Sequence, residues 1–365
     1  MKIALGIFVY FPFGGLQRDM MKIAGELASR GAEVTVFTGE WRDDARPENI
    51  RVVELDVDGG TSHARAVDFA RKFRKAAADA DVRVAFNRFG GCEFYFAADD
   101  CFAAALERRR GAFLLKMLPR YRVFSSLERE IFSPKSSTKI LYIDPRQREE
   151  FRKTYGTQEE RFFYLGPGNG PEFDVPSPAL RKERRAALGI PEDEFAALFI
   201  AAQWQLKGGD RILAACAALP PEIRARLRLD FVGSAPDTAR RAAEKLGIAD
   251  RCHFRGPRRH VETFLQAADI LLHPARKEAA GNVISEALGC GTPVICSGLC
   301  GFASLVRDSG AGIVLPEPFD EKIFTQAIRD WFSRREEFAS LARRAASALP
   351  LRGRASSAAD LILSR

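Results

Sequence analysis

Little in this sequence points to metal or redox chemistry. Only four histidines occur among 365 residues, none in an HExxH spacing, so no histidine-based metal site is expected. The seven cysteines, Cys92, Cys101, Cys216, Cys252, Cys290, Cys296 and Cys300, are odd in number and form no CxxC pair. That pattern argues for reduced thiols rather than a disulfide framework or a zinc site. No apolar run approaches the roughly 20 residues that a bilayer-spanning helix needs. There is no GxGxxG, which weakens a dinucleotide-binding reading. Internal repeats, low-complexity tracts and nucleic-acid-binding signatures are also missing. The apolar opening, Ile3 to Tyr10, lacks a small-x-small cleavage site and leads into Gly14-Gly15 and an amphipathic pattern. It is expected to be a buried strand rather than an export signal.

What is present is globular: 46% hydrophobic and 28% charged residues, in a length that suits two ordinary domains. The net charge of +8 favours an anionic partner, whether nucleic acid, anionic lipid or a phosphorylated substrate. Strand-like runs alternate with amphipathic helices, as in doubly wound α/β sheets. Expected strands are 3–10, 34–37, 52–55, 82–86, 140–143 and 162–165, with a first helix over 16–30 that Gly31 ends. The breaker-rich Gly166-Pro167-Gly168-Asn169-Gly170-Pro171 is the best linker. After a charged helix (178–188) the pattern restarts, with strands at 197–201, 229–232, 253–254, 270–273 and 293–296. Helices are expected at 209–218, 238–246, 261–267 and 282–289, and helices again from Asp320 onward. The layout is therefore an N-terminal Rossmann-like domain (1–166), a second (172–345) and a terminal helix (346–365). Ligands of such sheets lie beyond the carboxyl ends of the strands, and two such domains suggest a cleft between them.

Four segments could carry chemistry. Gly14-Gly15 opens a helix after the first strand; it is either a close-approach site for an anion or an ordinary turn. Glu278-Ala279-Ala280-Gly281-Asn282-Val283-Ile284-Ser285-Glu286 places two carboxylates around a helix start. Carboxylates accept vicinal sugar hydroxyls, and the amides of Gly281, Asn282 and Val283 suit a diphosphate. The plainer alternative is an acidic helix start. Lys207, before Gly208-Gly209, either meets a phosphate or is a solvated loop lysine. The stretch from Arg108 to Arg122 interleaves Arg108, Arg109, Arg110, Lys116, Arg120 and Arg122 with apolar residues and no acid. It suits either an anionic membrane surface or a helix packed on its domain. Two DxD triplets, Asp56-Val57-Asp58 and Asp79-Ala80-Asp81, border turns or strand ends and are read as structural. His273, at the end of a strand, is expected to line the core or a pocket.

Together the segment Glu278–Glu286, Tyr10-Phe11-Pro12-Phe13-Gly14-Gly15-Leu16-Gln17-Arg18-Asp19, Tyr95-Phe96-Ala97-Ala98-Asp99, His273-Pro274-Ala275 and Cys300-Gly301-Phe302-Ala303 resemble the family 4 retaining glycosyltransferases, and among them those that glucosylate the lipopolysaccharide core. The resemblance spans nearly the whole chain. It implies a GT-B fold: two Rossmann-like domains facing a cleft, with C-terminal helices returning to the N-terminal domain. It implies a metal-independent hexosyl transfer, glucose from UDP-glucose to inner-core heptose, with the nucleotide sugar as co-substrate and no further cofactor. Related donors are UDP-N-acetylglucosamine, UDP-galactose and GDP-mannose; a non-catalytic two-lobe sugar-binding protein would share the layout.

By the same resemblance, Glu286 holds the ribose, Glu278 the hexose, and Gly14, Gly15, Lys207, Gly281, Asn282 and Val283 the diphosphate. Arg258 lies near the base. Asp19 and Asp99 stand on the acceptor side, and Asp99, Lys207 and Glu278 serve the reaction itself. The stretch from Arg108 to Arg122 then contacts the membrane, making the protein cytoplasmic and peripheral on the inner face of the cytoplasmic membrane. The chain departs from the family at Ala202, where Arg is usual, and at Leu206, where a basic residue is usual. Fewer cations would rest on the diphosphate, which bears on donor choice.

Overall fold

The computed structural model describes residues 1–12, 14–109, 111–167, 169–170, 172–349 and 353–364. The chain forms two compact units, Met1–Gly166 with Gly353–Arg365, and Pro167–Arg352.

The first unit runs β1 (Lys2–Ile7), α1 (Gly15–Ser29), β2 (Glu33–Thr38), β3 (Arg51–Glu54), α2 (Ser62–Ala76), β4 (Val82–Ala85), β5 (Phe94–Ala97), α3 (Phe102–Glu107), α4 (Ala112–Met117), α5 (Pro119–Phe132), β6 (Lys139–Tyr142), α6 (Pro145–Tyr155) and β7 (Phe162–Tyr164). Its seven strands are parallel, in the order β3-β2-β1-β4-β5-β6-β7. The central strands are buried on both faces, which explains their near-continuous apolar runs. An aromatic cluster of Phe69, Phe73 and Phe89 packs beneath β1, so close that a Cβ on Gly6 would lie 2.8 Å from Phe89. The first strand ends at Ile7, short of the expected Tyr10. Beyond it the Phe8 amide donates to Asn87 Oδ1 at 2.6 Å, and Tyr10 leaves the ladder to stack on Trp41 with ring centroids 3.9 Å apart.

The second unit contains α7 (Pro178–Leu188), β8 (Phe195–Ala201), α8 (Gly209–Ala217), α9 (Pro221–Arg224), β9 (Leu227–Gly233), α10 (Asp237–Lys245), β10 (Cys252–Gly256), α11 (Glu262–Ala267), β11 (Ile270–His273), α12 (Asn282–Gly289), β12 (Val294–Ser297), α13 (Ala303–Ser309), β13 (Gly312–Leu315), α14 (Glu321–Ser333) and α15 (Arg335–Ala348). Its six parallel strands are ordered β10-β9-β8-β11-β12-β13. Local signals set several boundaries. Ser177 caps α7 by accepting from the Leu180 amide, with Pro178 at the first turn and Gly189 closing it at φ +66°.

The final helix, α16 (Arg354–Leu363), belongs to the first unit and packs on α1. Residues 346–348 continue α15 in the second unit, so the returning segment starts at Gly353. Of the linker residues, Gly168 and Pro171 lie outside the described residues; Asn169 donates to the Ser285 carbonyl of α12 at 2.5 Å. All seven cysteines are free thiols.

Candidate active site

In each sheet the strand order reverses beside the first strand of its unit, between β1 and β4 in one and between β8 and β11 in the other. Loops leaving the carboxyl ends of such neighbours diverge to opposite faces and leave a crevice.

In the second unit the two diverging loops meet. Lys207 follows β8, and Glu278 follows β11. Lys207 Nζ lies 2.9 Å from Glu278 Oε2 and donates to the Lys277 carbonyl at 3.1 Å. The same Oε2 is 2.9 Å from His273 Nε2, while Oε1 accepts from the Ala279 amide at 3.1 Å. The loops are also laced through their backbones: the Arg276 amide donates to the Leu206 carbonyl at 2.8 Å, and Arg211 Nη1 to Pro274 O at 3.0 Å. Burial works to raise the Glu278 pKa. The hydrogen bond and charge of His273, then Lys207, overcome it and bring the carboxyl down to about 2. Glu278 is therefore ionised at neutral pH.

Three helices start around these crevices behind glycine N-caps: Gly14 before α1, Gly208 before α8 and Gly281 before α12. Glycine brings no side chain to cap the first amides, and it admits close approach of a ligand. Gly281 sits at φ +82°, and a Cβ there would lie 3.0 Å from Ile284 Cδ1 and 3.3 Å from Glu278 Cγ. Gly208, at φ +84°, would place one 2.2 Å from the Pro274 carbonyl oxygen. At Gly15 a Cβ would meet nothing within 4 Å. Asn282 and Val283 form the first turn of α12, and Glu286, 7% exposed, lies one turn further. Arg258 is exposed in the loop after β10, its guanidinium donating to the Pro257 carbonyl at 3.0 Å. Thus Lys207, Glu278 and Gly281 are brought together. At the departures from the family pattern, Leu206 contributes its backbone carbonyl to Arg276, which also clasps Asp210 with contacts of 2.6 and 2.7 Å.

In the first unit Asp99 stands after β5, its side chain 57% exposed and 3.5 Å from Arg88 Nη1. Asp19 stands on α1, 2.8 Å from Arg354 Nη1 of α16. Its carboxylate is engaged in holding the terminal helix. Neither DxD triplet is left open to solvent ligands alone, since Asp58 pairs with Lys72 at 2.7 Å and Asp81 accepts from the Lys2 amide at 2.8 Å.

The basic stretch is two helices, not one. Leu118 is extended (ψ 137°), as residues preceding proline prefer, and Pro119 starts α5. Arg108 pairs with Glu150, Lys116 with Glu107, and Arg109 donates to the Tyr121 hydroxyl at 2.9 Å. Arg120 lies over the Phe124 ring, and Arg122 is exposed. Arg110 lies outside the described residues. No residue of α4 is buried, and Phe113, Leu114, Met117 and Leu118 are exposed.

Sequence reasoning gave no chemical role to His273, Arg88 or Glu128. For His273 there was a signal: it precedes Pro274 at a strand end, five residues before Glu278, and its ring reaches that carboxylate.

Two parallel-sheet Rossmann-like units are the architecture of GT-B glycosyltransferases, and the chain belongs to the group 1 glycosyl transferases. The pattern of that family, Glycosyl transferases group 1, matches residues 181–348. The lipopolysaccharide glucosyltransferase WaaG of Escherichia coli strain K12 is 36% identical over 370 residues, covering 99% of this chain and 98% of that protein. The crystal structure of WaaG, a glycosyltransferase involved in lipopolysaccharide biosynthesis, superposes with a TM-score of 0.93 at 35% identity over 100% of both chains. Anabaena HepE in complex with UDP-glucose shares the fold, with a TM-score of 0.77 at 18% identity over 100% of this chain and 99% of that one.

Proposed function

We propose that this protein transfers glucose from UDP-glucose to a heptose of the lipopolysaccharide inner core, with retention of configuration and without a metal ion. The E. coli relative, a lipopolysaccharide glucosyltransferase, supports the sugar and the acceptor class. The observation that carries the chemistry is the ionised Glu278, clasped by Lys207 and His273 beside the glycine-capped start of α12.

In this reading the diphosphate rests on the first amides of α12 and on Lys207, which replace a divalent cation in stabilising the leaving group. Glu286 accepts the ribose hydroxyls, and Glu278 orients the hexose. Arg258 lies near the uracil, and Gly14 and Gly15 admit the phosphates. The acceptor hydroxyl attacks the anomeric carbon on the face that the diphosphate leaves. Its proton passes to a phosphate oxygen, so that no covalent glycosyl-enzyme is needed. Asp99 receives the acceptor. The exposed apolar side chains of α4 and the surrounding basic residues support a peripheral contact with anionic lipid at the cytoplasmic face of the membrane.

The test is a panel of UDP-sugars with a heptose-terminated core acceptor, followed by NMR of the new anomeric proton. An α-glucoside is expected; a β-linked product would overturn retention, and no transfer from any nucleotide sugar would overturn the activity. A second reading, the same chemistry with UDP-N-acetylglucosamine, UDP-galactose or GDP-mannose, is motivated by Ala202 and Leu206, and the same panel decides it.

A further inference from the structure

We infer that Arg88 and the buried Glu128 are positioning residues for the acceptor, together clamping the loop that carries Asp99. The inference rests on the reading of Asp99 as an acceptor-side group.

Glu128 comes from the middle of α5 and is fully buried. A carboxylate in such a place must be satisfied by donors, and three of its five donors lie on one segment, residues 101–103. Oε1 accepts from the Phe102 amide at 2.7 Å and from Arg88 Nε at 3.1 Å. Oε2 accepts from the Ala103 amide at 3.0 Å and from the Tyr155 hydroxyl at 2.7 Å, with Cys101 Sγ at 3.6 Å. Glu128 thereby holds the start of α3, three residues after Asp99.

Arg88, in the loop after β4, grips the same segment from the other side. Its Nη2 donates to the Asp100 carbonyl at 2.8 Å, its Nη1 lies 3.5 Å from Asp99 Oδ2, and its guanidinium lies 5.7 Å from the centre of the Phe102 ring. Gln147 completes the clamp by donating to the Asp99 carbonyl at 3.1 Å. One guanidinium fork thus spans Asp99, Asp100 and Glu128, a task its planar donor set can do and an ammonium cannot.

Stability alone does not call for this arrangement. Buried ion pairs seldom outperform apolar packing, and a helix of six residues can be started by a single serine or aspartate cap. Two carboxylates sharing one arginine leave a net negative charge, and of the two only Asp99 is open to solvent. The clamp therefore holds the backbone beneath a carboxylate that stays open to solvent, which is what positioning a sugar hydroxyl requires.

The experiment uses the full chain and measures kcat and KM for a heptose-terminated core acceptor and for UDP-glucose separately. It also measures hydrolysis of UDP-glucose without acceptor, and the melting temperature. Removing Arg88 as Arg88→Met strands a buried carboxylate, so Arg88→Lys and Glu128→Gln, which preserve volume or charge, are run beside it. Arg88→Lys and Glu128→Gln are expected to lower kcat/KM for the acceptor by about 10- to 100-fold, while KM for UDP-glucose and the hydrolysis rate stay within about twofold. Combined with Asp99→Asn, Arg88→Lys should add less than about threefold to the loss, because both act through one carboxylate. Unchanged acceptor kcat/KM in Arg88→Lys and Glu128→Gln, fully additive losses, or equal losses toward acceptor and UDP-glucose would each overturn the proposal. Full transfer by Asp99→Asn alone would instead remove the acceptor-side reading on which it stands.

Discussion

Glu278 is held ionised by two side chains that reach it from opposite ends of the crevice, Lys207 from the loop after β8 and His273 from the end of β11. Its folded pKa of about 2 lies below the ordinary 4.5. A depressed carboxyl adds stability that is fully present above 4.5 and is lost as pH falls toward 2. Urea unfolding at pH 6 and at pH 3.5 should therefore show a smaller loss of stability in Glu278→Gln than in the native chain; equal losses would mean that the carboxylate is not held down. Lys207→Ala should lower kcat by about 10²- to 10³-fold, as removal of one preorganised donor from a developing anion does, and steady-state turnover with UDP-glucose measures it. Retained turnover would sink the leaving-group role. Two glycines make a complementary pair. Gly15→Ala meets no atom within 4 Å, so melting should be unchanged and any rise in KM for the donor reports ligand approach. Gly281→Ala, at φ +82°, should cost about 1–2 kcal/mol of stability before any effect on binding.

Among elements, the α1–α16 pair shows how a motif residue can serve the fold. Asp19 lies in the run most specific to the family resemblance, yet its carboxylate meets Arg354, whose side chain is buried. Asp19→Ala should destabilise the first unit by about 1–3 kcal/mol, as loss of a charge-assisted bond does, and should loosen α16 toward proteolysis. An unaltered unfolding midpoint with impaired acceptor use would assign Asp19 to the acceptor rather than to the helix pair. The strands that alternate with helices were legible because burial on both faces writes continuous apolar runs, as at Ile270–His273. β5 was not expected, although Phe94–Ala97 is as short and as apolar as Ile270–His273. α2 escaped as well: its apolar stripe of Phe69, Ala70 and Phe73 is interrupted by arginines and lysines. At the site, the local part could be read from spacing, namely Glu278, Gly281 and Glu286 around a helix start. The Lys207 contact could not, because it joins loops some seventy positions apart and depends on which strands are neighbours. Glu128 was invisible for the same reason: a glutamate in an amphipathic helix reads as solvated until the loop before α3 closes over it.

For the molecule as a whole, a net charge of +8 and an exposed apolar helix would favour the proposed membrane contact by different forces. Six basic residues between 108 and 122 suggest an attraction dominated by charge, worth about 1 kcal/mol for each cation near an anionic surface. Two of those charges are already answered within the protein, Arg108 by Glu150 and Lys116 by Glu107. Phe113, Leu114 and Met117, by contrast, are each more than half exposed. Fully burying a side chain of that size yields about 1.5–3 kcal/mol, so partial insertion of three rivals the electrostatic share. Binding to vesicles containing anionic lipid should therefore persist in part at high salt, where purely electrostatic attachment is screened away. Phe113→Ser, Leu114→Ser and Met117→Ser together should weaken partitioning by about 100-fold while leaving transfer to a soluble acceptor intact. Cosedimentation with vesicles across a salt series, set beside turnover in their absence, reads both quantities. Binding that vanishes with salt and ignores the triple substitution would assign the contact to charge alone. Loss of turnover without vesicles would tie α4 to the acceptor rather than to lipid.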